Sequence, residues 1–260
     1  MKKWEVSLCI LLGLCAALGL KFYYGNASSD ALLWILAPTA WWTKVLGGPA
    51  FLYEPGVGYV NHEIRFIIAP SCAGVRFMML SLLMLIATFV PRMKSRWHGF
   101  TWTALCFPGA WVATGFVNGV RMVLSIYLPE LFQGLGLMGG WLSWERLHTM
   151  IGTSVYFASL LVLYRIGERI SGFLGAEKLP SWGRNGVPAL CYSLMVLGIP
   201  FFRRVIERDY TGFGPYAAKV LGVCLGILCL TRLGKVVRES KNLRSRIVKG
   251  KRGCKREAEL

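Results

Sequence analysis

Six apolar runs, separated by short polar or basic segments, constrain this chain more than any other feature of its sequence. Each run approaches the roughly 20 residues that a helix needs to cross the hydrocarbon core of a bilayer. The runs occupy residues 4–24, 72–90, 99–118, 148–166, 187–202 and 215–233. Because helices satisfy their own backbone hydrogen bonds inside a bilayer, we read each run as a helix. The sequence therefore predicts an all-α, polytopic helical membrane protein with about six transmembrane helices.

The first apolar run also resembles a secretory signal peptide, since Lys2 and Lys3 precede an apolar core. However, no small-x-small cleavage pattern is followed by a soluble region, and further apolar runs come after it. The mean hydropathy of +0.49 is also high for a soluble domain, whose surface requires more polar side chains. We therefore predict an uncleaved first transmembrane helix.

Two shorter apolar segments are predicted to be interfacial or re-entrant helices. Residues 31–46 contain Pro38 and a pair of tryptophans, and residues 120–133 are interrupted by Pro129. Tryptophan is enriched at the level of the lipid headgroups, which favours an interfacial position for such helices. A full crossing by 31–46 would move the basic loop 91–98 to the outside, so we take it as the poorer alternative.

The distribution of charge predicts the orientation of the chain. With the N-terminus in the cytoplasm, about two-thirds of the 30 lysines and arginines lie on the inner side. These inner segments are residues 1–5, 91–98, 165–184 and 232–260. The positive-inside rule favours this arrangement. We therefore predict one integral membrane domain, 1–233, and a basic cytoplasmic tail, 234–260, in a bacterial cytoplasmic (inner) membrane with both termini inside.

Several classes of function are disfavoured by the sequence. The net charge of +17 flanks apolar segments and fills the C-terminal tail, which is typical of contact with anionic lipid and not of nucleic-acid binding. None of the eight cysteines forms a C-x-x-C pair, and the H-E-x-x-H and G-x-S-x-G motifs are absent. We expect no metal, no organic cofactor and no nucleic-acid partner.

Three chemically distinct side chains, Cys72, Arg121 and His148, each lie at the mouth of a predicted helix. In the predicted topology all three are on the outer side of the membrane. A thiol, an imidazole and a guanidinium are the parts of a cysteine acyl-transfer site: nucleophile, proton-transfer group and oxyanion partner. Taken singly, each has a simpler interpretation: a packing cysteine, a snorkelling arginine and an interfacial histidine.

The neighbours of Cys72 suggest how its thiol would be activated. Ser71 is a competent N-cap, so Cys72 would experience the positive end of a helix dipole, which favours the thiolate. Ala73 and Gly74 would leave room beside the sulfur for a substrate backbone. Arg76, one turn further along the helix, could orient the thiolate or reach for lipid headgroups.

Other polar residues are candidates for supporting or alternative roles. Asn118 could brace Arg121 or cap a short helix after it. His62 is on the correct side and is the reserve histidine, whereas His98 lies in the basic inner loop. Glu63 and Glu145 are further supporting candidates.

These motifs resemble the exosortase/archaeosortase family of membrane-embedded cysteine transpeptidases. The resemblance rests on cysteine in P-S-C-A-G, arginine in N-G-V-R and histidine in H-T-M-I-G, in that order, over residues 30–166, which correspond to the family core. The chain departs from the family at Ala73, where serine is common. The resemblance implies Cys72 as nucleophile, His148 as proton-transfer partner and Arg121 as transition-state stabiliser, and we take an exosortase of the K type as the working subtype.

The resemblance also implies the substrates and the reaction. Substrates would be secreted proteins with a C-terminal sorting signal made of a short motif, a transmembrane helix and a basic cluster. The enzyme would cleave near the motif through a thioester and pass the acyl group to an acceptor, such as a surface glycan or lipid. Gly74, Gly115 and Gly152 would let the substrate helix approach closely.

Two alternatives remain open at this point. One is a cysteine protease of the same chemistry with water as acceptor. The other is a non-enzymatic protein, either a small transporter or an assembly factor for envelope polysaccharide. A transporter would typically carry ionisable residues in mid-span and show internal repeats, and the sequence displays neither clearly.

Overall fold

A computed structural model describes residues 1–139, 142–177, 183–208 and 212–234. The predicted basic tail lies almost entirely outside these described residues. The described part is mostly helical, and five of its helices are long and apolar enough to cross a membrane. They are α1 (Lys3–Asn26), α3 (Val75–Phe89, lengthened by flanking turns to Pro70–Arg92), α4 (Arg96–Gly134), α5 (Trp144–Phe173) and α8 (Phe213–Gly234). The prediction of a mostly helical chain with several helices that are long and apolar enough to cross a membrane is confirmed at this level.

The helix α3 is the central helix of the bundle. In its most apolar window 78% of the residues are buried, against 17% for α1 and 11% for the last apolar helix, α8. The helices α1, α4 and α5 all pack on α3. The exposed leucines and phenylalanines of α1 and α8 therefore face outwards, as expected of helices that contact lipid on one side.

The predicted span 187–202 is not one of the five long helices. This region forms α6 (Gly183–Ser193), a π-helical turn at Leu194–Gly198 and α7 (Ile199–Glu207). Pro200 lies in the first turn of α7 and has no N–H to continue the hydrogen-bond ladder of a preceding helix. The apolar part, Asn185–Gly198, is consequently shorter than the other candidates.

The predicted separation of 99–118 from 120–133 is wrong, because both segments belong to α4. This helix has 39 residues and is about 58 Å long at 1.5 Å per residue. That length exceeds the roughly 45 Å of a whole bilayer, headgroups included. A helix of this length is long enough to cross a bilayer and to continue past the headgroups on one side.

A second helix, α2 (Leu33–Val45), runs alongside α4 in the same direction. Near the start of α2, the indole N–H of Trp111 on α4 donates to the carbonyl of Trp34 at 3.1 Å. Beyond its end, the Tyr127 hydroxyl donates to the carbonyl of Gly47 at 3.2 Å. The predicted helix at 31–46 thus exists, and at 13 residues it is too short to count among the long spans.

A small antiparallel sheet corrects the prediction of an all-α fold. Its strands are β1 (Leu52–Glu54), β2 (Gly58–Asn61) and β3 (Phe66–Ile68), paired in the order β1-β2-β3. Gly56 and Gly58 have positive φ angles of 75° and 125°, which turn the chain between β1 and β2. After Ile68 the chain passes directly into the turn Pro70–Cys72. The sheet thereby connects α2 to the candidate nucleophile.

The close packing of α2 on α4 predicts a specific sensitivity at Gly119. A Cβ added there would lie 2.6 Å from Trp42 Cβ and 3.2 Å from the Thr43 backbone nitrogen. We expect Gly119→Ala to destabilise the protein, since overpacking costs about 1–3 kcal/mol and the gain in helix propensity is about 1 kcal/mol. Thermal unfolding of the purified protein in detergent measures the change.

Gly109 provides the matched control on the same helix, because a Cβ added there meets nothing within 4 Å. Gly109→Ala should leave the melting temperature unchanged or raise it slightly. Equal melting temperatures for Gly119→Ala and Gly109→Ala would contradict the described packing of α2 on α4.

Candidate active site

Cys72 is the last residue of a short 3-10 turn, Pro70–Cys72, and its side chain is half-buried. Its backbone N–H donates to the carbonyl of Ala69 at 2.8 Å, which closes the turn. The Ser71 hydroxyl lies 4.0 Å from the sulfur. The prediction that Ser71 caps the helix is wrong, because its side chain makes no capping hydrogen bond and α3 begins only at Val75.

Gly74 is the actual N-cap of α3, and its backbone conformation explains why glycine occupies this position. Its φ of +72° lies in the left-handed region, which favours glycine. A Cβ at this position would lie 3.1 Å from Thr114 Cγ2 and 3.2 Å from Asn118 Cγ. Gly74 therefore brings the start of α3 against α4. It does not provide the predicted space for a substrate backbone.

Arg121 and His148 are hydrogen-bonded to each other across the α4–α5 interface. Arg121 Nη2 lies 2.9 Å from His148 Nε2. Since a guanidinium only donates, Nε2 must be the acceptor, and the imidazole must be neutral with its proton on Nδ1. The pair thus fixes both the charge state and the tautomer of His148 in the resting structure.

Asn118 connects this pair to the segment that carries Cys72. Its Nδ2 donates to the backbone carbonyl of Cys72 and, at 3.2 Å, to Thr39 Oγ1 on α2. Its Oδ1 accepts from Tyr156 Oη at 3.0 Å and from Arg121 Nη1 at 3.5 Å. Two donors and two acceptor sites are all that an amide side chain offers, so this fully buried residue is completely satisfied. Its hydrogen bond to Arg121 is the contact that the predicted brace requires, and Asn118 lies inside α4, where it caps no helix.

Tyr156 is a further partner of Arg121 and Asn118 that sequence reasoning missed. Its hydroxyl accepts from Arg121 Nη1 at 3.2 Å, and the Arg121 Cζ atom lies 5.4 Å from the centre of its ring. One signal was available, since His148, Gly152 and Tyr156 follow each other at intervals of four residues, which places them along one face of a helix. Gly152 makes room for the guanidinium, because a Cβ there would lie 3.3 Å from Arg121 Nε.

The guanidinium of Arg121 is buried without a carboxylate partner in the described part of the chain. It is 9% exposed, and its polar partners are the neutral groups of Asn118, Tyr156 and His148. Its Nε is also buried and makes no hydrogen bond to a described residue. A permanent cation in such surroundings stabilises negative charge that develops beside it far more strongly than it would in water.

The thiol itself is joined to this pair indirectly. No hydrogen bond links Cys72 Sγ to Arg121 or His148 within the described residues, and the connection runs from the Cys72 carbonyl through Asn118. All three candidate residues therefore lie at one end of the bundle, around one amide. We call this group (Cys72, Asn118, Arg121, His148 and Tyr156) the Asn118 cluster.

The other sequence candidates lie outside the Asn118 cluster. Arg76 is exposed and lies within electrostatic range of Tyr216, and no described contact joins it to Cys72. His62 is 72% exposed and pairs with Glu54 at 2.5 Å beside the sheet. His98 lies in the first turn of α4, about 35 Å along the helix from Arg121. Glu63 and Glu145 are exposed and, in the described residues, make no side-chain contact with the cluster.

The glycines predicted to admit a substrate helix are filled by the protein's own packing. Besides Gly74 and Gly152, Gly115 faces Pro38, whose Cβ would lie 3.2 Å from an added Cβ. In the described residues, no group of three or more His, Cys, Asp or Glu side chains converges in the way that a metal site requires. The Asn118 cluster itself consists of one thiol, one amide, one guanidinium, one imidazole and one phenol.

Comparison with known proteins found no matching family model, no matching curated protein and no matching solved structure. The resemblance of the three motifs to the exosortase family thus stays a prediction.

The complete satisfaction of Asn118 predicts that its removal is costly. Asn118→Ala would leave the Cys72 carbonyl, Arg121 and Tyr156 each short of a hydrogen-bond partner in a buried site. A buried polar group left unpaired costs about 1–3 kcal/mol, so we expect a clear loss of thermal stability in detergent.

The matched control is Asn26→Ala at the exposed end of α1, where the side chain, among the described residues, bonds only the carbonyl of Phe22. A change within about 0.5 kcal/mol is expected there. If both substitutions lowered the melting temperature equally, the central position of Asn118 would be refuted.

Proposed function

We propose that this protein is a membrane-embedded cysteine transpeptidase that cleaves C-terminal sorting signals of secreted proteins. The observation that carries the proposal is the hydrogen bond between Arg121 and His148, tied through Asn118 to the backbone of Cys72. This arrangement supplies a nucleophile, a proton-transfer group and a buried cation at one end of the bundle. The three motifs that resemble exosortases contain these same residues and support the same conclusion.

In the first half-reaction the scissile carbonyl would approach Cys72 and Arg121. The carbonyl oxygen displaces His148 Nε2 as the acceptor of the Arg121 Nη2 hydrogen bond, and this frees the imidazole lone pair. Nε2 then takes the Cys72 thiol proton, and the sulfur attacks the carbonyl carbon. Arg121 stabilises the tetrahedral oxyanion, the C–N bond breaks, and the leaving amine takes the proton from His148. The product is a thioester on Cys72.

In the second half-reaction an acceptor nucleophile gives its proton to His148 and attacks the thioester. The Cys72 sulfur leaves as a thiolate and recovers its proton from His148. A glycan hydroxyl or a lipid amine suits this step chemically, and either would account for anchoring at the cell surface. Water in the same position would make the protein a cysteine protease, and analysis of the released N-terminal fragment distinguishes the two.

The orientation that suits this chemistry has the Asn118 cluster on the outer face of a bacterial cytoplasmic membrane and both termini inside. The bias of lysine and arginine between the loops supports it. A substrate whose signal helix ends in a basic cluster would bind in the same orientation for the same reason. Its recognition motif would then emerge at the level of Cys72. The six-span topology that returns the tail to the inside requires the shorter apolar stretch Asn185–Gly198 to count as a crossing.

The proposal predicts the effect of removing the nucleophile in the native host. Cys72→Ala and Cys72→Ser should abolish processing, because alanine has no nucleophile and a serine hydroxyl ionises far less readily than a thiol. Host proteins that end in a motif, an apolar helix and a basic cluster should accumulate at full length. Immunoblotting of membrane fractions measures both these proteins and the enzyme.

Cys15→Ser on the exposed face of α1 is the control, since this cysteine contacts no member of the Asn118 cluster in the described residues. It should process substrates like the wild type. Normal processing by Cys72→Ala, with the variant present in the membrane, would disprove the proposed function.

A further inference from the structure

We propose that Tyr156 is a positioning residue that holds the guanidinium of Arg121 in the orientation that engages His148. The inference goes beyond the three residues of the proposed function and rests on that function. Tyr156 acts through Arg121, since in the described residues its hydrogen bonds go to Arg121 and Asn118 and none goes to Cys72.

The hydroxyl of Tyr156 is both a hydrogen-bond donor and a hydrogen-bond acceptor. It donates to Asn118 Oδ1 at 3.0 Å and accepts from Arg121 Nη1 at 3.2 Å. The hydrogen bond from Nη1 to Asn118 itself is long, at 3.5 Å. The tyrosine hydroxyl is therefore the closest acceptor for Nη1 and the link between the guanidinium and the rest of the cluster.

The ring of Tyr156 is held in place by Phe77 on α3. The two rings stack with centroids 5.2 Å apart and an interplanar angle of 20°. The Arg121 Cζ atom lies 5.4 Å from the centre of the Tyr156 ring, within range of a cation–π interaction. Contact with α3 thus fixes the position of Tyr156 independently of its contact with Arg121 on α4.

A guanidinium is planar and rigid, so fixing one of its nitrogens directs the others. With Nη1 held by Tyr156 and Nε confined beside Gly152, Nη2 is directed at His148 Nε2, 2.9 Å away. Loss of the tyrosine hydroxyl would leave Nη1 with the long contact to Asn118 alone. The guanidinium could then rotate, and His148 Nε2 would lose the hydrogen-bond donor that occupies its lone pair.

The role of Tyr156 predicts a change in the reactivity of the His148 imidazole that can be measured without any substrate. Diethyl pyrocarbonate acylates the unprotonated nitrogen of a neutral imidazole, and in the wild type Arg121 occupies that nitrogen. In Tyr156→Phe, which keeps the ring, we expect His148 to react about fivefold faster, the factor that corresponds to one net hydrogen bond. Peptide mass spectrometry of the full-length protein in detergent measures the rate at each histidine.

Tyr164→Phe is the matched control, since it removes the same hydroxyl from the same helix. Tyr164 is fully buried, and its hydroxyl has no partner among the described residues. Its substitution should leave the reactivity of His148 unchanged. The exposed His62 should react equally in all variants and serves as the internal standard.

Processing of host substrates provides the second measurement. It should fall in Tyr156→Phe and persist in Tyr164→Phe, while the amount of enzyme in the membrane stays equal. An unchanged His148 rate in Tyr156→Phe would overturn the positioning role. A faster His148 rate, together with a wild-type enzyme that processes nothing, would support the positioning role and refute the proposed function.

If Tyr156→Phe fails to fold, 4-fluorophenylalanine at position 156 decides the question. It nearly keeps the shape of the side chain but replaces the hydroxyl by a fluorine, which accepts a hydrogen bond from Arg121 only weakly. His148 should then react faster in the same direction, by a smaller factor. An unchanged rate would overturn the inference.

Discussion

The hydrogen bonds of one buried amide, Asn118, hold the candidate site together. Through them α2, the turn before α3, α4 and α5 converge on a single residue that has no unused donor or acceptor. The direction of the amide is fixed chemically, because the Cys72 carbonyl can only accept and Arg121 can only donate. These helices consequently have one register relative to each other, and the turn that carries the candidate nucleophile is held beside the arginine–histidine pair.

A second constraint follows from the charge of Arg121. A guanidinium that is nine-tenths buried among neutral partners is expensive to desolvate, and in the described chain no carboxylate offsets that cost. Structural arginines at helix ends normally reach water or a headgroup. A cation retained in this position is consistent with a task that supplies negative charge only transiently, as a tetrahedral oxyanion does. The same burial makes the site sensitive to the orientation of the guanidinium. Tyr156 holds that orientation through its hydrogen bond to Arg121 Nη1.

Much of this organisation could be predicted from the sequence, and the exceptions have physical reasons. The apolar runs predicted the long helices because the bilayer imposes a minimum length, and a thiol, a guanidinium and an imidazole at the ends of apolar runs marked the site, although Arg121 proved to lie inside α4. The sheet at residues 52–68 was missed because its strands have three or four residues, too few for a periodic pattern. The continuity of α4 was missed because Asn118-Gly119 reads as a break, whereas Gly119 is required by the approach of Trp42. Tyr156 lies in a run of apolar residues, and its spacing of eight residues from His148 was the one sequence signal that set it apart from a packing tyrosine.

The most direct test of the account is the covalent state of Cys72 during turnover. Membranes that contain the enzyme and its substrates would be quenched in acid, and the cysteine-containing peptides analysed by mass spectrometry with and without hydroxylamine. The account predicts a substrate-derived acyl group on Cys72 that hydroxylamine removes and that Arg121→Ala greatly reduces. Substrate cleavage without any acyl group on Cys72, or with the acyl group on another cysteine, would contradict it.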